Sequence, residues 1–425
     1  MPTAAQYQSY LQIIARPDRT EKLARLEFLN ADGTVAFSID NTEKAGKAPA
    51  GQPSRAFLQQ GTLNVSLQNG TRRKANITLA NMDGAFDYNV NNIWWGKQVR
   101  LMMGTRLLDG TEFYLPQGVF YFDSPSLDWR PNSRTAQYSL VDKWAYLDGS
   151  LYGTLAETFL IEPGENIFYV MSKVLRQSIY TQEDTVNPLE MIDNITPIFT
   201  DYYKFRSVMR EGTVHPFEEV TDEIRVEQGN TFADVLTALN DLFAGWIGYN
   251  AAGALTVLPS QDDISDQTKP VLWDFSTSAK TFLGLTESYQ VGEVYNDVII
   301  YGENLSDGVA PYGRATNNNP ASDTSVGRIG LKTYIESASG YYTNEQCQAL
   351  ANFYLKRMTV LQKSVTIEST QMFHLQENNL ITVQRTDKAG IPVERHLIQS
   401  FSVPIAQNGS MSITATSVND FPQND

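Results

Sequence analysis

The sequence predicts an α+β chain, mostly β, with two related β-barrel domains and an inserted α/β region between them. Three observations lead there. Short strands separated by turn signals recur at regular spacing over residues 62–142, as in a barrel or sandwich. A strand–turn–strand–turn–strand order near the end of that region returns near the end of the chain. Between the two, from about 149 to 285, two helical patterns appear and strands become fewer. At 425 residues the chain exceeds one comfortable hydrophobic core, so about two to four domains are expected. The predicted division is 1–56 for an N-terminal helix, hairpin and long loop, 57–148 for the first barrel, 149–285 for the insertion, and 286–425 for the second barrel with one helix.

Taken in order, Tyr7, Tyr10, Leu11 and Ile14 are spaced as one face of a short helix over 5–15, which Pro17 closes. Ala24–Leu29 and Val35–Ile39 read as a hairpin turned by Ala31-Asp32-Gly33. Residues 41–55, rich in small and polar residues and proline, are too long for an ordinary turn. Then come LNVSL with Asn69-Gly70 after it, ANITLA, QVRLMM, the Asp109-Gly110 turn, EFYLPQGVFYF and AQYSLVD. In ANITLA, Ala75, Ile77 and Leu79 alternate with Asn76, Thr78 and Ala80, which gives a strand one buried face. GWIGYNAAGALTVLP, 245–259, reads as a hairpin closing the insertion, and NDVIIYG, 296–302, as a strand. Residues 303–326 are expected to be a second long polar loop. Thr343 with Gln346 forms a capping box ahead of the clearest helical stripe, Cys347, Leu350, Tyr354 and Met358.

Two internal echoes organise these elements. IEPGENIFYVMSKVL, 161–175, aligns without gaps to VEQGNTFADVLTALN, 226–240, placing Gly164 on Gly229 and the N-cap residue Asn166 on Thr231. The apolar positions after each cap also coincide, Ile167, Val170, Met171 and Val174 on Phe232, Val235, Leu236 and Leu239. The second echo sets QVRLMM, VFYFDSPSLDW and AQYSLVD, turned at Asp109-Gly110 and Pro131-Asn132-Ser133, against LITVQR, HLIQSFSVPI and SMSITATSV, turned at Asp387–Gly390 and Asn408-Gly409. All-β chains also show such likeness by accident; a true repeat requires two related barrels.

The formal net charge is −15, from 33 basic and 48 acidic residues, with no basic cluster, which argues against a duplex-binding surface. A single cysteine, Cys347, excludes an intrachain disulfide or a cysteine-based zinc site and reads as a small core residue. The N-terminal MPTAAQYQSY is not a signal sequence, and no run of 18 apolar residues occurs, so folding in a cytoplasm without membrane insertion is expected.

Motifs of reactive chemistry are nearly absent from the sequence. TRRKANITLANMDGAFD, 71–87, sets Asn81, Asp83 and Asp87 around Gly84 in the manner of a calcium loop. With Gly84 at the sixth position, however, the first and twelfth ligands would be Leu79 and Val90, neither of which offers a side-chain oxygen, so the stretch reads as strand and turn. G-x-S-x-G, phosphate-loop, H-E-x-x-H and C-x-x-C patterns are missing from the sequence. His215, His374 and His396 are scattered and read as structural or surface residues, and the acidic pairs Glu218-Glu219 and Asp262-Asp263 as solvated turn charges. A glycosidase sets its carboxylates by fold rather than by spacing, which leaves that activity open to sequence. Trp94-Trp95 is read as one core and one interface side chain, with sugar stacking as its alternative. No catalytic, cofactor or metal residue is predicted, and the chain is expected not to be an enzyme.

The order of several phrases resembles a known family. RRKANITLANMDGAFD, WWGKQVRLMMG, LPQGVFYFDSPS and AQYSLVDKWAYLDG look like the first barrel of phage tail hub proteins, the baseplate or tail-tip hubs that include the Tal-type proteins. IEPGENIF, NTFADVLTALNDLFAGWIGYNAAGALTVLP, YNDVIIYG and YTNEQCQALANFYLKR are similar to the rest of that family in the same order. The resemblance implies a virion structural protein at the tail tip, assembled in the bacterial host cytoplasm. It implies a homotrimer whose two barrels per chain adapt a hexameric tail tube or distal tail protein to a threefold spike, fibre or tape-measure protein. Genomic DNA would pass through without specific binding, and host attachment and ejection would follow. Two alternatives stand beside it: a hexameric distal tail ring protein, and a tail-associated cell-wall hydrolase or glycan-binding protein.

Overall fold

In the computed structural model the described residues lie between Thr3 and Ser417; 17–20, 43–57, 178–207, 242–245, 259–269, 291–293, 304–307 and 386–392, with scattered single residues and pairs, fall outside them. The long loop expected at 41–55 is therefore almost wholly outside the described residues, as is the turn at Asp387–Gly390.

The chain opens with α1 (Ala4–Ile14), capped by Thr3, whose hydroxyl accepts from Gln6 N–H while the Gln6 side chain accepts from Thr3 N–H. Its apolar face buries Tyr10, Ile13 and Ile14. Seven strands follow: the hairpin β1 (Lys22–Leu29) and β2 (Val35–Asp40), then β3 (Leu58–Ser66), β4 (Arg73–Ala80), β5 (Gln98–Arg106), β6 (Glu112–Arg130) and β7 (Ser133–Asp142). β4 shows the expected alternation, with Arg73, Ala75, Ile77 and Leu79 buried. At the β5–β6 turn, Thr111 N–H donates to Asp109 Oδ1, and Gly110 takes the left-handed φ of +85° that glycine tolerates.

The inserted region contains β8 (Phe159–Ile161), α2 (Ile167–Gln177), the hairpin β9 (Val208–Arg210) and β10 (Thr213–His215), β11 (Ile224–Val226), α3 (Phe232–Asp241), and the hairpin β12 (Trp246–Tyr249) and β13 (Leu255–Leu258). The repeated phrase folds twice in the same way. Gly164 and Gly229 sit at φ +91° and +89°; Asn166 Oδ1 accepts from the N–H groups of Phe168 and Tyr169, and Thr231 Oγ1 from that of Asp234. β8 and β11 pair antiparallel with Leu160 opposite Arg225. These are the same position of the two phrases, so a local twofold axis passes through that pair. The two helices close over one core, with Val170, Met171 and Val174 from α2 and Val235, Leu236 and Leu239 from α3.

The rest of the chain contains β14 (Val271–Ser276), β15 (Phe282–Gln290), β16 (Asp297–Tyr301), β17 (Tyr312–Thr316), α4 (Val326–Ile329), β18 (Thr333–Ser337), α5 (Asn344–Met358), β19 (Gln362–Ser369), β20 (Leu380–Gln384), β21 (Glu394–Ile405) and β22 (Met411–Ser417). β14, which the sequence reading places in the insertion, pairs in parallel with β20. β16 lies between β17 and β18 in a separate small sheet, and Cys347, Leu350 and Ala351 of α5 pack on Val298 and Ile300. β17 corrects the expectation of a loop over 303–326. Its two inward residues are Gly313 and Ala315, too small to register as an apolar period, and a Cβ on Gly313 would lie 2.3 Å from the Cys347 carbonyl carbon.

One 13-stranded sheet joins the two β regions in the order β15-β19-β22-β21-β3-β4-β7-β6-β5-β1-β2, with β20 on β21 and β14 on β20. Within it, β15-β19-β22-β21-β20 repeats β3-β4-β7-β6-β5. The repeat extends to single residues. β6 has a bulge at Asp123 against β7, and β21 has one at Gln399 against β22. Carrying that match across the ladders sets Leu140 on Ala415, Ala75 on Val365 and Leu63 on Glu287. The match then sets another bulge of the first half, Gln59 in β3, on Leu283, where β15 has its own. Two bulges at matched positions mark the meander echo as a repeat of fold. A single core, containing Ile77, Val99 and Phe122 with Ile367, Phe401 and Ile413, spans both halves.

Candidate assembly interface

The two halves meet where β21 pairs antiparallel with β3, Phe401 opposite Val65, Val403 opposite Leu63 and Ile405 opposite Gly61. On the other side of β3, a Cβ on Gly61 would lie 2.2 Å from Asn76 O of β4, so the β3–β4 approach at this position requires glycine. The apolar face of the joint is continuous with the core.

Beneath it lies a buried polar joint that local patterning does not announce. The Arg73 guanidinium pairs with Glu377 and donates to Gln376 Oε1 and to the carbonyl of Gln117. The Asp142 carboxylate accepts from the N–H groups of Arg72, Arg73 and Trp144. Burial outweighs those donors and pushes its carboxyl up to about 6. Lys143 Nζ donates to Gly253 O at 2.6 Å, and burial lowers this ammonium to about 7, Asp142 acting in the opposite direction. Arg72 donates to the carbonyl of Trp246 in the insertion, and burial lowers its guanidinium to about 10. First half, insertion and second half thus converge on residues 72–73 and 142–143. One signal for this existed in the sequence: Arg73 is in phase with Ala75, Ile77 and Leu79 on the buried face. The match of halves sets Arg73 on Lys363, which is also buried and reaches Glu287 at 2.9 Å and Glu394 at 2.6 Å.

At the two ends of this arrangement are strand edges. Among the described residues, β6 pairs with β5 only up to Tyr121, so 123–130 has β7 on one side and no strand on the other. Leu127 and Trp129 are exposed there, with the Arg134 guanidinium 3.3 Å from the centre of the Trp129 ring. β15 pairs with β19 alone among the described residues and exposes Leu283 and Tyr289.

The residues singled out by sequence fall elsewhere. Asn81 donates to Asp87 Oδ1 at 2.8 Å and accepts from Phe86 N–H; Ala85 N–H donates to Asp83, and Arg134 pairs with Asp87. The stretch is a turn held by its own side chains. His374 is buried, with Tyr10 O–H against Nδ1 at 3.2 Å, and burial lowers it to about 4. His396 is buried 3.2 Å from Glu394, and burial, with Lys363 also opposing the charge, lowers it to about 4 against the pull of Glu394. His215 ends β10, and Glu219 bridges Asn166. Glu218, Asp262, Asp263 and the pair Trp94-Trp95 lie outside the described residues. Cys347 is buried in the α5 core. Among the described residues, no group of three or more His, Cys, Asp and Glu could hold a metal ion, and no helix is long and apolar enough to cross a membrane. A shallow hollow of 260 Å³ is lined by Gln12, Ile13, Ala15, Arg16 and Leu108, a set with no carboxylate.

No protein-family model matches the chain, and no curated protein matches it. Solved structures do. A tail protein from Neisseria meningitidis MC58 superposes with a TM-score of 0.55 at 10% identity, covering 93% of this chain and 96% of its own. The 43 kDa tail protein of prophage MuSo2 from Shewanella oneidensis gives a TM-score of 0.55 at 11% identity, covering 93% and 98%. Identities this low establish the architecture alone: over almost its full length this chain has the fold of these two tail proteins.

Proposed function

We propose that this chain is a structural hub protein of a phage tail or tail-like particle, placed at the baseplate or tail tip. Three copies form a ring in which each contributes two equivalent halves. Such a ring offers six similar half-sheets to a hexameric tail tube or distal tail protein, and a threefold face to a spike, fibre or tape-measure protein. The carrying observation is the repeated strand order with its matched bulges, on a fold shared with two tail proteins. A hexameric distal ring needs one such half per chain, so a chain with two fits the hub better.

The role is non-enzymatic. Its nearest chemistry, the cluster around Arg73 and Asp142, is buried, with Arg73 engaged by Glu377 across the two halves and Asp142 by the N–H groups of Arg72, Arg73 and Trp144. The net charge of −15 suits a channel through which DNA slides without sticking, since like charges repel. Isolated tails from the host that encodes the chain, labelled with antibody against it, should carry label at one end only. Label along the tube, or release of sugar from purified cell wall by the chain alone, contradicts the proposal.

A further inference from the structure

We infer that the exposed edge of β6, residues 123–130, pairs antiparallel with the exposed edge of β15 in a second copy of this chain, in a register that the chain displays internally. β21 uses its outer edge to bind β3. By the match of the two halves, β6 is the counterpart of β21 and β15 the counterpart of β3. Within one chain the second half thus docks on the first, and the first half's docking edge and the second half's receiving edge are left over. A contact between unlike edges is heterologous and propagates from copy to copy until the ring closes. Closure at three copies rests on the hub reading above; the strand pairing does not.

The register follows from the pairs already seen. Phe401–Val65 becomes Pro125–Tyr289, Val403–Leu63 becomes Leu127–Glu287, and Ile405–Gly61 becomes Trp129–Leu285. The chemistry agrees with that alignment. Phe401, Val403 and Ile405 are buried in the internal joint, whereas Leu127 and Trp129 are 37% and 62% exposed and Tyr289 is 53% exposed. Pro125, Leu127 and Trp129 occupy one face, and Ser124, Ser126 and Asp128 the other, matching the polar Thr286 and Ser288 of β15. Glu287 brings no bare charge to Leu127, because Lys363 and Arg385 already pair with it. Pro125 has no N–H, so the new ladder has one donor fewer than the internal one. Strand addition of this kind draws its affinity from main-chain hydrogen bonds and its specificity from alternate side chains.

The test uses full-length chains carrying single substitutions. Copies with Ser126→Cys are mixed with copies with Ser288→Cys and oxidised, the native Cys347 being buried. A disulfide-linked pair on a non-reducing gel is expected, and it should be lost when Thr286→Cys, two residues out of register on the same face, replaces Ser288→Cys. A second variant, Leu127→Asp with Trp129→Asp, should shift the assembly to single chains while its circular dichroism stays unchanged. Light scattering separates the two ideas. A three-chain assembly with no cross-link at 126–288 overturns the strand pairing and leaves the hub reading standing. A register-specific cross-link in an assembly of another size supports the pairing and removes the threefold reading. Single chains at every concentration with no cross-link overturn both.

Discussion

Arg73 and Glu377 form an ion pair across 304 positions of sequence, with side chains only 1% and 4% exposed. The two halves of the sheet are fastened at this point. Removing one partner of such a pair leaves a charge buried without compensation, a loss of about 3–5 kcal/mol. Glu377→Ala is therefore expected to lower the thermal midpoint sharply, and the double variant Arg73→Met with Glu377→Leu to recover much of the loss. Equal damage from both variants contradicts this reading.

The local twofold of the insertion makes a symmetric prediction. Gly164 and Gly229 share one left-handed conformation, and at each an added Cβ meets nothing within 4 Å. Alanine at either position costs only backbone strain, about 1–2 kcal/mol. Gly164→Ala and Gly229→Ala should lower thermal stability by similar amounts, and markedly unequal shifts would show that the two units are not equivalent.

His374 sets an acid limit on stability. Burial holds its folded value at about 4, below the ordinary 6.5, so on acidification the unfolded chain takes up the proton first. Its contribution is present above pH 6.5 and is lost as pH falls towards 4, up to about 3 kcal/mol in all. Asp142, pushed up to about 6, works in the opposite sense between pH 4 and 6, so the informative quantity is a difference between variants. His374→Gln should flatten the fall of the unfolding midpoint between pH 6.5 and 4; an unchanged slope would remove the assignment.

Cys347 is fully buried between α5 and the β16–β17 strands, and burial raises its thiol. A charged thiol reagent should leave the native chain unlabelled and label it stoichiometrically in denaturant. Rapid labelling of native protein would contradict a core role.

Much of the architecture was legible because it is written in local periods. The Thr343–Gln346 box, the alternation of Ala75, Ile77 and Leu79, and the repeated Gly164 and Gly229 phrases all act within a few residues. What escaped depends on distant partners. β14 is assigned only by its parallel pairing with β20, about a hundred residues on, and β17 only by its antiparallel ladder with β16, its inward face kept small by the close approach of Gly313 to Cys347. Arg73 carried the right phase, but nothing near it in sequence names Glu377 as its partner. The meander echo left the repeat open to accident, and the matched bulges that establish it, Asp123 with Gln399 and Gln59 with Leu283, exist only in the ladders.

The measurement that bears most directly on the hub reading is the mass of the purified full-length chain by light scattering across a concentration series reaching high concentration. Three times the chain mass is expected. A sixfold mass, or a single chain at every concentration, would contradict it.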